Sequence, residues 1–384
     1  MYIFICPVLL HIRKVGVFLL LFAMIAETDN QMRFLHRYGL FVIKVIAVLF
    51  GFAMFVRLIS HADYAKVTSL LEHSGATLLL ALIPYIIVSL FDTLGWRTTF
   101  PLVGRPVDFS KLFGIKLMSE AMLMSLPGGT ALAESLKPVL LYRRCGIPIS
   151  EGIATGVMRN CFLSIGHAIY VVVSVILGYE FLTRGSEKII GFDGLPIVIL
   201  GASLTVLSFF GIVAATFLYG SVAEKLHRIL LKVPLAPLRK WLIKQEEKIL
   251  DIDHQFSKFR KLSFKEAAVA VSFFVLAWFF ETVETFLIMK LLGIPLGFSE
   301  ILALESALSF VRSMLVVLPA GIGIQDYGYV RFLDGFGVVE CMEMGTAFVL
   351  IKRTKEVFWI IFGYILLAFT DLKPKEVLAQ SLKP

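Results

Sequence analysis

The chain contains successive apolar stretches of about twenty residues, and these limit its fold more than any other feature. A membrane-spanning helix needs about 20 apolar residues to cross the hydrocarbon core of a bilayer. Stretches of this length lie at 39–59, 76–96, 152–178, 194–219, 265–291 and 345–369. Hydrophobic residues make up 58% of the chain and charged residues only 17%, which is far from the composition of a soluble domain. We therefore predict an all-α, polytopic membrane protein.

The N-terminal extension, residues 1–31, leaves several interpretations open. Its apolar run is interrupted by His11, Arg13 and Lys14, and the uninterrupted remainder is short for a span. An interfacial helix, a signal-like segment and an upstream start artefact all fit this pattern. The last fits because Met32 begins a run that is typical of the cytoplasmic lead-in to a first helix.

Two further segments, 109–142 and 298–332, differ from the spans because each is broken by proline and glycine. Each has an apolar arm, a break, and a second arm that contains acids and glycines. The helix-breaking residues are Pro127, Gly128 and Gly129 in the first segment and Pro319, Gly321 and Gly323 in the second. Such residues interrupt a helix. We predict two helical hairpins, and whether their arms cross the membrane or re-enter on one side stays open.

The two hairpins resemble each other, which indicates an internal repeat. When Pro127 is aligned with Pro319, Glu134 lies opposite Asp326. The repeat unit is then two spans, a hairpin and one span. Three spans separate the hairpins, so the second copy is inverted, as in many transporters. The predicted organisation is the extension 1–31, a first membrane repeat at 32–178, a second at 179–369, and a tail at 370–384.

The distribution of Lys and Arg predicts the orientation. The net charge is +8, and the loop at 220–264 is rich in both residues. Cytoplasmic loops carry such an excess, so this loop and both termini of the core are placed in the cytoplasm. The first hairpin then opens toward the cytoplasm and the second toward the opposite face. The loop itself is either an amphipathic surface helix or a solvated linker, and no nucleic-acid-binding motif occurs in it.

Ionisable residues inside the apolar segments are the candidate site, because each costs about 2.5–3.5 kcal/mol to insert at the centre of a membrane helix. The candidate substrate-binding residues are Glu120, Glu134, Arg159, Glu281, Glu284, Arg312, Asp326, Lys352 and Arg353, and Glu305, Lys355 and Glu356 are further charges at similar depth. The predicted network joins Glu134 with Arg159 and Asp326 with Arg353. Two roles stay open for it: structural ion pairs, or binding of a charged headgroup near the helix breaks.

Other motifs exclude several classes of protein. Gly321 and Gly323 lack the strand and spacing of a nucleotide-binding fingerprint. No nucleophile–base pair or metal-ligand spacing is evident, and the cysteines are predicted to pack in the apolar segments. His167 is predicted to be a packed, hydrogen-bonded residue. We therefore expect no catalytic residue, metal or cofactor.

The broken hairpins resemble the flippase-like family built on the transmembrane region of lysylphosphatidylglycerol synthases. The matching motifs are Leu126-Pro127-Gly128-Gly129 with Glu134, and Leu318-Pro319-Ala320-Gly321-Ile322-Gly323-Ile324-Gln325-Asp326. The family often has Gly at the position of Ala320 and Glu at that of Asp326. Residues 350–356 are similar to the branch associated with hopanoid lipid biosynthesis. Because the sequence ends soon after its last predicted span, we do not expect a lysyl-transferase domain.

The resemblance implies a multi-pass protein of the bacterial inner membrane that moves a polar-headed lipid between leaflets. The lipid could be a phospholipid, a hopanoid or a lipid-linked precursor. Its expected partners are membrane lipids and enzymes of lipid biosynthesis, whereas the oligomeric state is not predicted. Two alternatives stay open, namely a membrane-embedded lipid-modifying enzyme and a scaffold of a lipid-biosynthetic complex.

Overall fold

The computed structural model of the protein describes residues 49–101, 104, 106–126, 129–219, 258–314 and 321–370. The predictions for residues 1–31, for most of the 220–264 loop and for the tail lie outside the described residues, as do those for Pro127, Gly128 and Pro319. Within the described ranges the chain is helical and contains no strand, which confirms the all-α prediction.

The described part of the first half, from residue 49 onward, contains six helices. They are α1 (Leu49–His61), α2 (Tyr64–Ser74), α3 (Ile83–Arg97), α4 (Phe109–Ser125), α5 (Gly129–Cys145) and α6 (Ile149–Leu177). A 3-10 segment, Gly75–Leu82, leads into α3. Side-chain caps fix two of the starts, because the Asp63 carboxylate accepts the Ala65 N–H at 2.9 Å and the Asp108 carboxylate accepts the Lys111 N–H at 3.0 Å.

The second half also contains long and short helices. It contains α7 (Tyr179–Ile190), α8 (Leu195–Tyr219), α9 (Phe264–Leu291), α10 (Phe298–Met314), α11 (Ile324–Gly335) and α12 (Cys341–Ala368). A capping box starts α9: the Ser263 N–H donates to Glu266 at 2.8 Å, and the Glu266 N–H donates to the Ser263 hydroxyl at 3.2 Å.

Four of the described helices are long and apolar enough to cross a membrane. They cover Thr77–Arg97, Ile149–Leu177, Leu195–Val213 and Phe264–Leu291, in agreement with four predicted spans. Helix α12 has 28 residues and matches the predicted span at 345–369 in length. It is less apolar than the other four because it carries Lys352, Arg353, Lys355 and Glu356. The described part of the span predicted at 39–59 is the shorter apolar helix α1.

Helices α2 and α7 were not predicted. Helix α2 lies between the predicted spans 39–59 and 76–96, and α7 lies between the predicted spans 152–178 and 194–219. They have only 11 and 12 residues, too few for a span. In α7, Leu182 and Ser186 are buried while Glu180 and Arg184 are exposed. The buried Ser186 hydroxyl accepts the Leu195 N–H at 2.8 Å and so ties α7 to the start of α8.

The predicted hairpins correspond to two pairs of packed helices, α4 with α5 and α10 with α11. Three of these arms have 17 residues and α11 has 12, all fewer than the ~20 that a perpendicular span needs. A Cβ added at Gly129 would lie 2.3 Å from the Met122 carbonyl oxygen. Only glycine therefore allows α5 to start so close to α4. Re-entry of the arms stays a prediction.

Helices that the proposed repeat makes equivalent pack in equivalent pairs. Helix α4 of the first half packs on α12, and its counterpart α10 packs on α6. In the same way α5 packs on α6 and α11 on α12, while α3 and α9 pack on each other. In each half the first arm of the hairpin thus packs on a span of the other half, and the second arm packs on a span of its own half. An internal repeat predicts such equivalent pairs. The inversion of the second copy stays a prediction.

Candidate functional site

A set of charged side chains lies buried between the helices of both halves, and we call it the charged band. Its members are Asp92, Lys116, Glu120, Glu134, Lys137, Arg159, Glu281, Glu284, Glu305, Asp326, Lys352, Arg353, Lys355 and Glu356. Nine of them are buried, and the other five, Glu120, Glu134, Glu281, Arg353 and Glu356, are partly buried. Charges removed from water are tolerated when they are paired and hydrogen-bonded. The band is accordingly built from ion pairs, which form four clusters.

The Arg159 cluster joins α3, α5 and α6. The Arg159 guanidinium donates to both oxygens of Asp92 at 2.6 Å, and its Nε donates to Oδ1 at 3.0 Å. Its remaining nitrogen donates to the Asn160 side-chain oxygen at 2.9 Å, and the Asn160 amide donates to Glu134 at 3.0 Å. Lys137, one turn after Glu134, donates to it at 2.5 Å. The cluster therefore holds two acids and two cations in one hydrogen-bonded chain.

The Tyr85 cluster brings α3 and α4 against α12. The Tyr85 hydroxyl donates to Oε2 of Glu120 at 2.9 Å, and Lys116 forms an ion pair with the same oxygen. Lys116 also donates to the buried Ser89 hydroxyl at 2.8 Å. Its ammonium lies 5.1 Å from the centre of the Tyr85 ring, within range of a cation–π interaction.

Helix α12 completes this cluster from the other half of the chain. The Lys355 ammonium lies 5.3 Å from the centre of the Tyr85 ring and is paired with the buried carboxylate of Glu284 on α9. Trp359, one turn further along α12, packs on Tyr85 with a ring separation of 4.8 Å. Tyr85 therefore contacts charged groups from both halves.

The Glu305 cluster is the most deeply buried. Oε1 of Glu305 accepts from the Tyr329 hydroxyl at 2.8 Å and from Lys352 at 3.3 Å, and it also accepts from the Thr285 hydroxyl. Lys352 donates to the Tyr329 oxygen at 2.5 Å and lies 4.8 Å from the centre of that ring. Four helices, α9, α10, α11 and α12, are held together by these contacts.

The Asp326 cluster lies at the start of α11, directly after the second break. One Asp326 oxygen accepts the Gly323 N–H at 2.8 Å, and the other accepts from Arg353 at 2.6 and 3.1 Å. Arg353 also pairs with Glu356 at 2.6 Å. Gly323 has φ +83°, and a Cβ there would lie 2.0 Å from the Gly51 carbonyl oxygen of α1. The break therefore rests directly on the backbone of α1.

One of the two predicted pairings is present and the other is wrong as stated. Asp326 and Arg353 are paired directly, as predicted. Arg159 instead contacts Asp92 and reaches Glu134 only through Asn160. The physical reason is that Asp92 on the neighbouring helix α3 offers both oxygens to the guanidinium, whereas Glu134 is held by the lysine of its own helix.

The other predicted site residues lie at different places in the band. Glu120 belongs to the Tyr85 cluster, Glu284 to the pair with Lys355, and Lys352 to the Glu305 cluster. Glu281 lies one turn before Glu284 on α9 and is partly buried. The Arg312 side chain lies outside the described residues. A role for any of these residues in binding a ligand stays a prediction.

Five residues of the clusters were not predicted from the sequence: Asp92, Lys116, Lys137, Tyr85 and Tyr329. Asp92 could have been found, because it is the single acid in the span Thr77–Arg97. Lys116 and Lys137 lie four residues before Glu120 and three after Glu134, spacings that place opposite charges on one helix face. For the tyrosines the sequence carries no comparable signal.

His167 is packed and hydrogen-bonded, as predicted. Its Nε2 lies 2.9 Å from the Ser309 hydroxyl, and its ring lies 4.2 Å from that of Trp278. Within the described ranges no group of three or more His, Cys, Asp or Glu side chains is placed to hold a metal ion.

Long apolar helices that enclose a band of paired charges define a multi-pass α-helical membrane protein with a polar interior. The chain matches the family described as the lysylphosphatidylglycerol synthase TM region over residues 40–368, and it belongs to that family. It is thus a membrane protein of a lipid-related group. The match does not distinguish the hopanoid branch, which stays a prediction. Comparisons with curated proteins and with solved structures returned no match.

Proposed function

We propose that this protein moves a polar-headed lipid between the two leaflets of the bacterial inner membrane. The observation that carries the proposal is the charged band, because it extends through eight helices of both halves inside an otherwise apolar bundle. A single ion pair could serve stability alone. Four clusters of donors and acceptors, distributed over both halves, can also replace the water that a polar headgroup leaves behind.

The positions of the clusters suggest the path that the lipid headgroup would take through the protein. The headgroup would contact Glu134 and Arg159 in the first half and Asp326 and Arg353 in the second, while its tails stay among the lipids. Asp326 lies in the first turn of α11, at the second hairpin break, and Glu134 lies in α5 shortly after the first; helix starts of this kind favour anions. Alternating exposure would come from rocking one half against the other. Transport would be downhill or coupled to an ion gradient.

The two halves meet at contacts that such a motion would change. Helix α4 packs on α12 across the boundary between the halves, and Tyr85 faces Lys116 on one side and Lys355 on the other. Rocking would lengthen one of these ring–ammonium contacts. The ion pairs Arg159–Asp92 and Arg353–Asp326 lie within single halves, so each half could move as a body with its charges still paired.

A vesicle assay tests the proposal. Purified full-length protein is reconstituted into phosphatidylcholine vesicles that contain a trace of fluorescent phospholipid, and transfer between leaflets is followed by quenching of the outer leaflet with a membrane-impermeant reductant. We expect transfer that depends on the protein and falls at least about tenfold in Asp326→Asn and Arg353→Gln, since each loses a charge-assisted contact with the headgroup.

The matched control is Glu180→Gln, which disrupts the exposed Glu180–Arg184 pair on α7 far from the band. It should transfer lipid at the rate of the unaltered protein. If folded Asp326→Asn and Arg353→Gln proteins also transferred lipid at the full rate, the band would not be the path and the proposal would be wrong.

We propose a transporter rather than an enzyme, and the lipid content of a deletion strain separates the two. Loss of one modified lipid would favour an enzyme. A lipid of normal structure that accumulates in one leaflet would favour transport. A scaffold would differ from both, because the band variants would then restore the deletion strain as well as the unaltered gene does.

A further inference from the structure

The Tyr85 cluster includes a buried hydrogen-bond donor that has no acceptor in the part of the chain that the structure describes. The Lys116 ammonium and the Tyr85 hydroxyl are both directed at one oxygen of Glu120. The indole N–H of Trp359, which is stacked on Tyr85, is buried and has no hydrogen-bond partner in the part of the chain that the structure describes. A buried donor without an acceptor is unfavourable, because it has lost its hydrogen bonds to water. The cluster would therefore be completed by a ligand that is rich in acceptors.

Glu120 is among the more exposed acids of the band. Its side chain is 22% exposed, whereas the side chains of Glu284, Glu305 and Asp326 are 1%, 4% and 3% exposed. Its ion-pair partner lies one turn away on the same helix, so the pair does not hold two helices together. Rotation of the Glu120 side chain toward the exposed side would leave the donors in place.

We propose that the Tyr85 cluster is an anion site for the phosphodiester group of a lipid, in which Glu120 is the counterion that the ligand displaces. The phosphodiester would accept from Lys116, from the Tyr85 hydroxyl and from the Trp359 indole. This inference rests on the proposed function in taking the ligand from the bilayer. It assigns the first contact with the headgroup phosphate to the boundary between the two halves, where α4 meets α12.

The charges around Tyr85 favour a phosphate over an amine. Ammonium groups of Lys116 and Lys355 lie 5.1 and 5.3 Å from the ring centre, so a cationic ligand at the ring would meet two like charges. The two non-bridging oxygens of a phosphodiester carry one negative charge and can accept several hydrogen bonds at once. When that group enters and Glu120 turns outward, the number of buried charges stays the same. The exchange therefore avoids burial of an additional unpaired charge.

The test measures thermal stabilisation of the full-length protein in a non-ionic detergent as lipid is added. The probes are dioleoyl phosphatidylglycerol, which has a phosphodiester and no amine, and dioleoylglycerol, which has the same tails and no phosphate. Inorganic phosphate is the third probe. We expect stabilisation by the phospholipid alone, because the site requires both the anion and the anchoring tails.

The direction of change in Glu120→Gln distinguishes this inference from other roles of Glu120. Removal of a competing carboxylate should lower the half-saturating phospholipid concentration roughly tenfold. Tyr85→Phe and Trp359→Phe, which each lose one donor and keep the ring, should raise it several-fold. The concentration dependence reports the site even if a variant has a lower melting temperature, and Glu180→Gln serves as the unaffected control.

Three outcomes would overturn the inference. Weaker binding in Glu120→Gln would mean that Glu120 contacts the ligand itself, and unchanged binding in all three variants would mean that the site lies elsewhere. Equal stabilisation by inorganic phosphate would overturn the assignment to a lipid. Failure here leaves the proposed function standing if the vesicle assay still shows transfer, whereas tight binding without any transfer would support the anion site and contradict the transporter.

Discussion

At the scale of single residues, each buried cation in the described part of the band has an acid or an aromatic ring beside it. Arg159 is the clearest case, because all three nitrogens of its guanidinium donate to Asp92 or Asn160. Such a residue serves stability whether or not it also binds a headgroup. The two roles can be separated, since a stability role depends only on the pair and a binding role depends on the charge.

Removal of both partners of the Asp92–Arg159 pair should cost less stability than removal of one. Asp92→Asn leaves Arg159 buried without its counterion and should lower the free energy of unfolding by about 3 kcal/mol. The double variant Asp92→Leu with Arg159→Met replaces the pair with apolar groups and should recover most of that loss. Denaturation in mixed micelles measures both values.

Lipid transfer by the same double variant then decides the role of Arg159. A stable double variant that has lost transfer would support contact between Arg159 and the headgroup. A stable double variant that transfers lipid normally would limit the pair to a structural role and remove Arg159 from the proposed path.

At the scale of the helices, the close contacts are made by glycines at the breaks and crossings. Gly323 starts α11 on the backbone of α1, and Gly363 allows α12 to approach α4, where an added Cβ would lie 2.6 Å from the Leu117 carbonyl oxygen. These contacts position the Asp326 cluster and the Tyr85 cluster respectively. The glycines therefore determine where the charges meet.

Gly323→Ala should be strongly destabilising for its size. The residue has a positive φ, and the new Cβ would collide with the Gly51 backbone, so we expect the free energy of unfolding to fall by about 2 kcal/mol or more. Gly201→Ala on α8 is the matched control, because no atom lies within 4 Å of its Cβ position. Stability of Gly201→Ala should be unchanged or slightly higher. Equal stability of the two variants would show that the α1–α11 contact is not formed.

The sequence predicts the long helices well and the pairing of their charges only in part. Span length and apolar content gave four of the crossing helices within a few residues, because the hydrocarbon thickness sets both. The direct pair Asp326–Arg353 followed from the repeat and the break. The partner of Arg159 did not, since Asp92 lies 67 residues away and only the packing of α3 on its neighbours brings it near. Tyr85 and Tyr329 were not predicted for the same reason, because only the packing of the helices brings them to the charged groups.

At the scale of the whole molecule, the equivalent packing of α4 on α12 and of α10 on α6 favours a repeat, and the charge distribution adds the inversion. Inversion makes a direct prediction about the two hairpins. The start of the first must face the cytoplasm and the start of the second must face the other side.

Cysteine labelling tests this orientation. In a protein without its native cysteines, Lys111→Cys at the start of α4 should react with a membrane-impermeant maleimide only after the cells are opened. Gly297→Cys, just before α10, should react in intact cells. Both positions are exposed in the structure, so failure to react would reflect the membrane side and not burial. Labelling of both from the same side would show that the repeats are not inverted.

The four charges of α12, which lie close together at 352–356, also have a consequence for biosynthesis. Taken alone, α12 is a poor substrate for the insertion machinery, because several ionisable groups would enter the hydrocarbon together. The acids that pair with its Lys352, Arg353 and Lys355 belong to α10, α11 and α9, and all three are translated earlier. The acids that neutralise α12 are therefore synthesised before α12 leaves the ribosome. We expect this order of synthesis to let a helix as polar as α12 insert stably.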